Sequence, residues 1–465
     1  MEHGGVTRRT ILHGAGGAMA LGMVGAPAIA KSRPSRERLE AALARIADPA
    51  GEGRRTYLTL YADSARAAAD AADARAASPL SPIDGAIVSI KDLFDVAGEP
   101  TRAGSLILAD APPATVDAPV VARLKQAGAV IVGKTNMVEF AFSGVGANPH
   151  YGTPGNPADR ARVPGGSTSG GGVAVADAMC EIAIGTDTGG SCRIPAALCG
   201  VVGYKPTKAR VPTKARVPTD GAFPLSPTLD SIGPIATSVD ACFRTDAILA
   251  GEAARPLDIA PLKGLRAGIP QGLPLGDLDA TVAARFADAL ARLGKAGMTL
   301  SDEVFPQFDA MQALQSPVPI ASVEAYAIHR DRIATRAQDF DPIVLARMQA
   351  GRDVTPERHR QMLVERAALV RSMDARLTGL DILVLPTTPI VAPTQAEVAN
   401  AEAFVARNRL LLRNTGLGNS FDLCAISLPL PREDGLPVGL MLMARAGQDQ
   451  RLFAIAAAVE KLLAV

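Results

Sequence analysis

Residues 165–203 carry ten of the chain's 44 glycines, and they constrain the fold more than any other stretch. The segment opens with Gly165-Gly166-Ser167-Thr168-Ser169-Gly170-Gly171 and continues through an apolar run. It then reads Gly185-Thr186-Asp187-Thr188-Gly189-Gly190-Ser191-Cys192-Arg193-Ile194-Pro195. Glycine beside serine lets the backbone turn tightly and leaves both the hydroxyl and the neighbouring N–H groups open to a ligand. Two such loops separated by a buried run can face each other across a cleft. One glycine turn alone is ordinary loop chemistry, whereas this pair points to a built site.

The surrounding chain supplies a frame for those loops. Residues 35–47 and 61–77 are rich in Ala, Arg and Glu and read as surface helices, with Ser35 as N-cap of the first. Residues 86–90 and 129–132 are short β-rich or apolar runs, with a helix over 120–126 between them. Strand texture returns at 381–386 and 437–442. Residues 259–380 read as helix and loop, including a helix that starts at Thr355-Pro356 and carries Met362, Leu369, Met373 and Leu377 on one face. Helices alternating with short buried strands imply an α/β fold with a mixed, helix-covered sheet. Strands drawn from both ends of 465 residues imply one large domain.

Several chemistries are excluded by the same reading. Gly128-Ala129-Val130-Ile131-Val132-Gly133-Lys134-Thr135 fits a phosphate-loop expression. Its context is inverted, however: a helix precedes the first glycine, and the intervening residues look like a strand, leaving no loop to wrap phosphate. With 48 Lys+Arg against 47 Asp+Glu, the net charge of +1 gives no basic face for nucleic acid. Cys180, Cys192, Cys199, Cys242 and Cys424 are odd in number and lack paired spacing, so they read as small buried hydrophobes, not as a disulfide or zinc framework. His150 is the histidine nearest in sequence to the glycine-rich segment and reads as a turn residue, which leaves no Ser-His-Asp arrangement.

The first thirty residues differ in texture. Thr7-Arg8-Arg9-Thr10-Ile11-Leu12 precedes a weakly apolar Gly/Ala run that ends in Ala28-Ile29-Ala30. This order resembles a twin-arginine export signal, giving a division into residues 1–30 and 31–465 and an exported, periplasmic protein. The apolar run is too short and too rich in glycine to span a bilayer, so no stable membrane anchor is expected once the signal is removed. Its loss takes Arg8, Arg9 and Glu2 with it and leaves formal neutrality. A direct repeat, Pro206-Thr207-Lys208-Ala209-Arg210-Val211 followed by Pro212 to Val217, reads as a duplication lengthening one loop.

Taken together, the motifs resemble the amidase signature family of serine hydrolases. The likeness runs from Ser89-Ile90-Lys91-Asp92-Leu93-Phe94 through Gly133-Lys134-Thr135-Asn136 and the two glycine loops. It continues in Tyr204-Lys205-Pro206-Thr207, Leu229-Asp230-Ser231-Ile232-Gly233-Pro234, Leu385-Pro386-Thr387 and Gly435-Leu436-Pro437-Val438-Gly439. It departs at Ile87, where many relatives have proline, at Thr168 in place of a serine, and at Met441 in place of glutamine.

The resemblance implies a Ser-cisSer-Lys triad with Ser191 as nucleophile, Ser167 as the bridging serine in a cis peptide, and Lys91 as base. Backbone N–H groups of Thr188, Gly189, Gly190 and Ser191 would form the oxyanion hole. Asp187, Arg193 and Thr168 would support the loops. No metal and no organic cofactor is implied. The partner is a small-molecule amide, and a homodimer is compatible with the family. Such a chemistry suits the residues, because a serine hydroxyl needs a neighbouring base, and a lysine becomes one when burial lowers its pKa. The rivals are an ammonia-generating amidotransferase component of the same family, a binding protein without catalysis, and a nucleotide-binding protein.

Overall fold

The computed structural model describes residues 33–208, 216–253, 255–431 and 435–464. The twin-arginine stretch and most of the second hexapeptide therefore lie outside the described residues. Eleven strands build one mixed sheet: β1 (Tyr57–Leu60), β2 (Ile87–Lys91), β3 (Val130–Thr135), β4 (Ile182–Thr186), β5 (Val202–Lys205), β6 (Ile232–Ala236), β7 (Arg266–Pro270), β8 (Thr299–Glu303), β9 (Ile382–Pro386), β10 (Cys424–Pro429) and β11 (Gly439–Ala444). Their order is β1-β3-β2-β4-β6-β5-β10-β11-β9-β7-β8. Parallel blocks lie towards both ends, β3-β2-β4 and β9-β7-β8, with antiparallel pairing through the middle. The β5–β10 pair joins the two halves of the chain, aligning Tyr204 with Ile426. This is the single mixed α/β sheet that strands at both chain ends imply.

Local sequence explains most elements. Strands β2 to β6 are buried along their whole length, and their apolar content is continuous instead of alternating, as helices on both faces require. Leu39, Ile46, Ala65, Ala69, Ile87, Val130, Val132 and Val173 pack between the first helices and this end of the sheet. Burying each Val, Leu or Ile contributes about 1.5–3 kcal/mol. The inverted phosphate-loop context is as read: the helix Pro119–Gln126 leads through Gly128 directly into β3.

Four readings are corrected. The first helix does span Ser35–Ala47, but Pro34 is its N-cap and the Ser35 side chain makes no cap bond. Asp73 from the next helix accepts from the N–H groups of Ser35 and Arg36 at 2.6 and 3.0 Å, which satisfies the helix end from outside. The second helix covers only Ala62–Ala74. The apolar run inside the glycine-rich segment is split between the end of the helix Ser169–Ala176 and strand β4. Strands β7 and β8 lie within the region read as helix and loop. Arg266, Asp302 and Glu303 deprive them of an apolar pattern, and β8 is the partly exposed edge of the sheet. Thr355, by contrast, caps the helix Pro356–Arg376 by accepting from Arg358 N–H at 3.1 Å.

Candidate active site

Two strand ends and two helix starts converge on the glycine-rich segment. Strand β2 ends at Lys91 and the neighbouring parallel strand β4 ends at Thr186. The Gly166–Ser167 peptide is cis, and the helix Ser169–Ala176 begins just beyond it. Residues 187–192 then turn from β4 into the helix Arg193–Cys199. Glycine is required where this turn meets its neighbours. Gly190 has φ +133°, and a Cβ there would stand 2.2 Å from Thr415 Oγ1.

Lys91 is fully buried, and its Nζ donates to Ser167 Oγ and to Thr186 Oγ1, each at 2.8 Å. Among the described residues no carboxylate hydrogen-bonds to it. Burial pushes the amine down to about 7, outweighing the opposite pull of Cys192, Asp187 and Asp230. The peptide N–H of Thr168 donates to the Ser191 carbonyl at 3.2 Å, clamping the cis-peptide loop to the nucleophile loop. Among the described residues the Ser191 hydroxyl has no hydrogen-bond partner, and Ser191 lines a cavity of about 190 Å3. The Lys91–Ser167 half of the relay is thus formed, and Ser191 faces the space where a substrate would sit.

The loop around Ser191 is braced through its carbonyls and side chains. Asp187 and Arg193 form a fully buried pair, with Nη2 to Oδ1 at 2.8 Å and Nε to Oδ2 at 3.0 Å. Burial alone would raise the Asp187 carboxyl, but the Arg193 charge and its hydrogen bonds hold it at about 2. Asn419 donates to both the carbonyl and the carboxylate of Asp187 at 2.9 Å. Thr415 Oγ1 donates to Gly189 O at 2.6 Å, and Thr188 Oγ1 donates to Asp230 Oδ1 at 2.5 Å. None of the four N–H groups from Thr188 to Ser191 donates to a protein acceptor among the described residues. A row of free N–H donors beside a serine hydroxyl is what an oxyanion requires.

The site residues that the resemblance implies are brought to this one place. Thr168 contributes its backbone, while its buried hydroxyl has no partner and packs against Gly185. Asp187 and Arg193 brace the turn. At Met441, Arg193 Nη1 meets a thioether at 3.2 Å where a glutamine is usual, a weak acceptor in place of a strong one. Thr186, Asp230, Thr415 and Asn419 were not singled out. Thr186 and Asp230 stand inside quoted motifs, but Thr415 and Asn419 lie on the distant helix Ala401–Ser420, whose sequence gives no sign of the contact.

Among the described residues the histidines play no part in this network. His150 sits in a turn, bonded to the buried Glu139 at 2.9 Å. His329 packs among Phe140, Phe223 and Phe340, where burial drives its ring down to about 3. All five cysteines are buried and free. Among the described residues no three His, Cys, Asp or Glu side chains gather as metal ligands, and no helix is long and apolar enough to cross a membrane.

The amidase family model matches residues 37–453. The chain belongs to the amidase family. It is 34% identical over 395 residues to the 2-amino-5-chloromuconic acid deaminase of Comamonas testosteroni, covering 83% of each chain. It is also 36% identical over 488 aligned positions to a glutamyl-tRNA(Gln) amidotransferase subunit of Anaeromyxobacter dehalogenans, covering 95% of this chain and 96% of that one. The solved structure of an amidase superposes with a TM-score of 0.81 at 31% identity, covering 93% of this chain and 97% of the other. Fold and family together make it an amide-cleaving hydrolase of the α/β class.

Proposed function

We propose that Ser191 is the nucleophile and that Lys91, acting through Ser167, is its base. Neutral Lys91 takes the Ser167 proton as Ser167 takes the Ser191 proton, and Ser191 Oγ bonds to the amide carbonyl carbon. The N–H groups of Thr188 to Ser191 hold the resulting oxyanion, each such donor being worth ~3–4 kcal/mol in acyl-transfer enzymes. The proton then returns along the same path to the leaving nitrogen, the C–N bond breaks, and ammonia or an amine departs. Water attacks the acyl-Ser191 ester by the reverse relay and frees the carboxylic acid. The observation that carries this reading is the buried Lys91 amine, 2.8 Å from Ser167 Oγ and without a carboxylate to fix its proton.

The substrate is a small molecule, in keeping with the size of the cavity. The amidotransferase likeness supports a second reading, in which the same site releases ammonia for a partner protein. Assaying the purified chain alone against small carboxamides separates the two. Turnover without any partner, lost in a folded Ser191→Ala variant, supports the stand-alone amidase; ammonia release from glutamine only with added partner proteins supports the second. We also propose export through residues 1–30, motivated by the paired arginines and the terminal Ala28-Ile29-Ala30. Finding the chain with Met1 retained in the cytoplasm of its native host would contradict export.

A further inference from the structure

The cavity lined by Ser191 has a largely apolar wall, with Leu225 and Leu412 among its residues. Besides Arg347, which lies over the Phe142 ring, its polar side chains are Ser143, Thr188, Ser191, Gln315 and Ser420. Two of these are spent inside the protein. Ser143 Oγ donates to Asn408 Oδ1 at 3.2 Å and accepts from Val145 N–H, while Thr188 Oγ1 donates to Asp230. Ser191 is reserved for the reaction. Gln315 and Ser420 are spent only on each other, Gln315 Nε2 donating to Ser420 Oγ at 2.9 Å. Among the described residues the Ser420 hydroxyl proton has no acceptor, and Gln315 Oε1 has no donor.

The pair is held from two directions. Gln315 caps the end of the helix Pro306–Leu314, and Ser420 ends the helix Ala401–Ser420 beside Asn419, the brace of Asp187. Ser420 is buried and Gln315 half-buried. Side by side they offer the cavity one O–H donor and one carbonyl acceptor. Turning the Gln315 amide over exchanges the roles, an N–H becoming the donor and Ser420 Oγ the acceptor, and the count stays the same. A carboxylate brings acceptors only and an ammonium donors only, so each leaves half of the pair unmet among apolar neighbours. A carboxamide brings a carbonyl oxygen and an N–H side by side and answers both.

We propose that Gln315 and Ser420 together bind a second carboxamide of the substrate, so that the amide cleaved at Ser191 belongs to a small diamide. This rests on the reading of Ser191 as nucleophile. The Ser420 hydroxyl donates to the distal carbonyl and Gln315 Oε1 accepts from the distal N–H, while Ser191 meets the amide at the other end. The cavity is about 190 Å3, against the ~300–1,000 Å3 usual for ligand pockets, so a short chain separates the two ends.

The test compares kcat/KM for malonamide, succinamide and glutaramide with that for propanamide, butanamide and pentanamide. Each monoamide carries a methyl group where the matching diamide carries its second carboxamide. Having two cleavable ends by itself no more than doubles the rate of a diamide. The expected result is a preference of about 30-fold for the diamide at one chain length or more. In Ser420→Ala and in Gln315→Leu that preference falls below about fivefold, chiefly through KM. A merely structural loss would slow diamide and monoamide alike and leave their ratio intact. Wild-type parity beyond that doubling at every chain length, or an undiminished preference in either variant, overturns the proposal. Should the variants fail to fold, the wild-type comparison decides alone. Labelling with a fluorophosphonate in the same preparation separates this proposal from the one beneath it. Label on Ser191 without the diamide preference defeats only the Gln315–Ser420 assignment, whereas absent label and absent turnover defeat the Ser191 reading as well.

Discussion

The part of the cavity that holds Ser191 and the part that holds Arg347 are fixed by opposite means. Around Ser191, carbonyls, carboxylates and side-chain amides are matched one to another: Asp187 with Arg193 and Asn419, Gly189 with Thr415, and Thr188 with Asp230. The groups left free there include the ones the reaction uses, a hydroxyl and four peptide N–H donors, beside the unpartnered hydroxyls of Thr168 and Ser169. Around Arg347 the reverse holds, because a charge faces the cavity over an aromatic ring and nothing among the described residues answers it. Preorganised donors cost little reorganisation when charge develops, so the catalytic part gains from being saturated by its own scaffold. Recognition gains from leaving one strong group unmet until the ligand arrives.

The comparison can be broken most severely at Lys91. Lys91→Met should lower kcat/KM on the order of 10^4-fold, as loss of a triad member does elsewhere. In the wild type, the neutral amine grows as pH rises through about 7, so kcat/KM should climb through that range and level off above it. Stability runs in a related sense. The folded amine sits below its unfolded value of 10.5, so the unfolded chain holds this proton more tightly between the two values. The cost of burying Lys91 is thus complete below about pH 7 and fades as pH rises towards 10.5. Lys91→Met should therefore be inactive yet at least as stable as the wild type at pH 6, measured by urea unfolding.

A smaller break falls on the scaffold. Asp187→Asn leaves the fully buried Arg193 without its countercharge and should cost about 3–5 kcal/mol of stability in the same unfolding experiment. Catalysis should fall with the geometry of the loop, and the acid limb of the pH profile should move to lower pH, since the Asp187 charge no longer favours the protonated Lys91 amine. Smaller still is Thr186→Val, which keeps the volume but removes one partner of the Lys91 amine. We expect a loss of roughly tenfold in kcat/KM, and a limb moved to lower pH, since a hydrogen bond that favoured the charged amine is gone.

How much of this was legible in the sequence follows the same division. Lys91, Ser167 and Ser191 sit in short glycine- and serine-rich runs, where local backbone demands and chemistry coincide, so their residue types betray them. The single sheet was also legible, since β2, β3, β9 and β11 are compact apolar runs. The braces were not. Thr415 and Asn419 meet residues 189 and 187 from more than 200 positions away, and nothing local in a helix marks such a contact. Asp230 stood in a quoted motif, but its service to Thr188 depends on the antiparallel register of β4 and β6, with Thr186 opposite Ile232. Strands β7 and β8 escaped because the edge of a sheet tolerates the charges of Arg266, Asp302 and Glu303. Within the region 259–380, Gln315, Pro319, Ala321 and Arg347 line the cavity. That Arg347 stands on the cavity wall without an ion pair became visible only once its neighbours were known.

The central claim is that a lysine buried behind a serine activates Ser191, and one measurement reaches it without knowledge of the substrate. The rate at which a fluorophosphonate modifies the protein should be followed across pH 5 to 9, with the adduct located by peptide mass spectrometry. The account predicts a single adduct on Ser191, formed faster as pH rises through about 7, with the dependence abolished in Lys91→Met. An adduct on another residue, or a Ser191 adduct whose pH profile is unchanged in Lys91→Met, would contradict it.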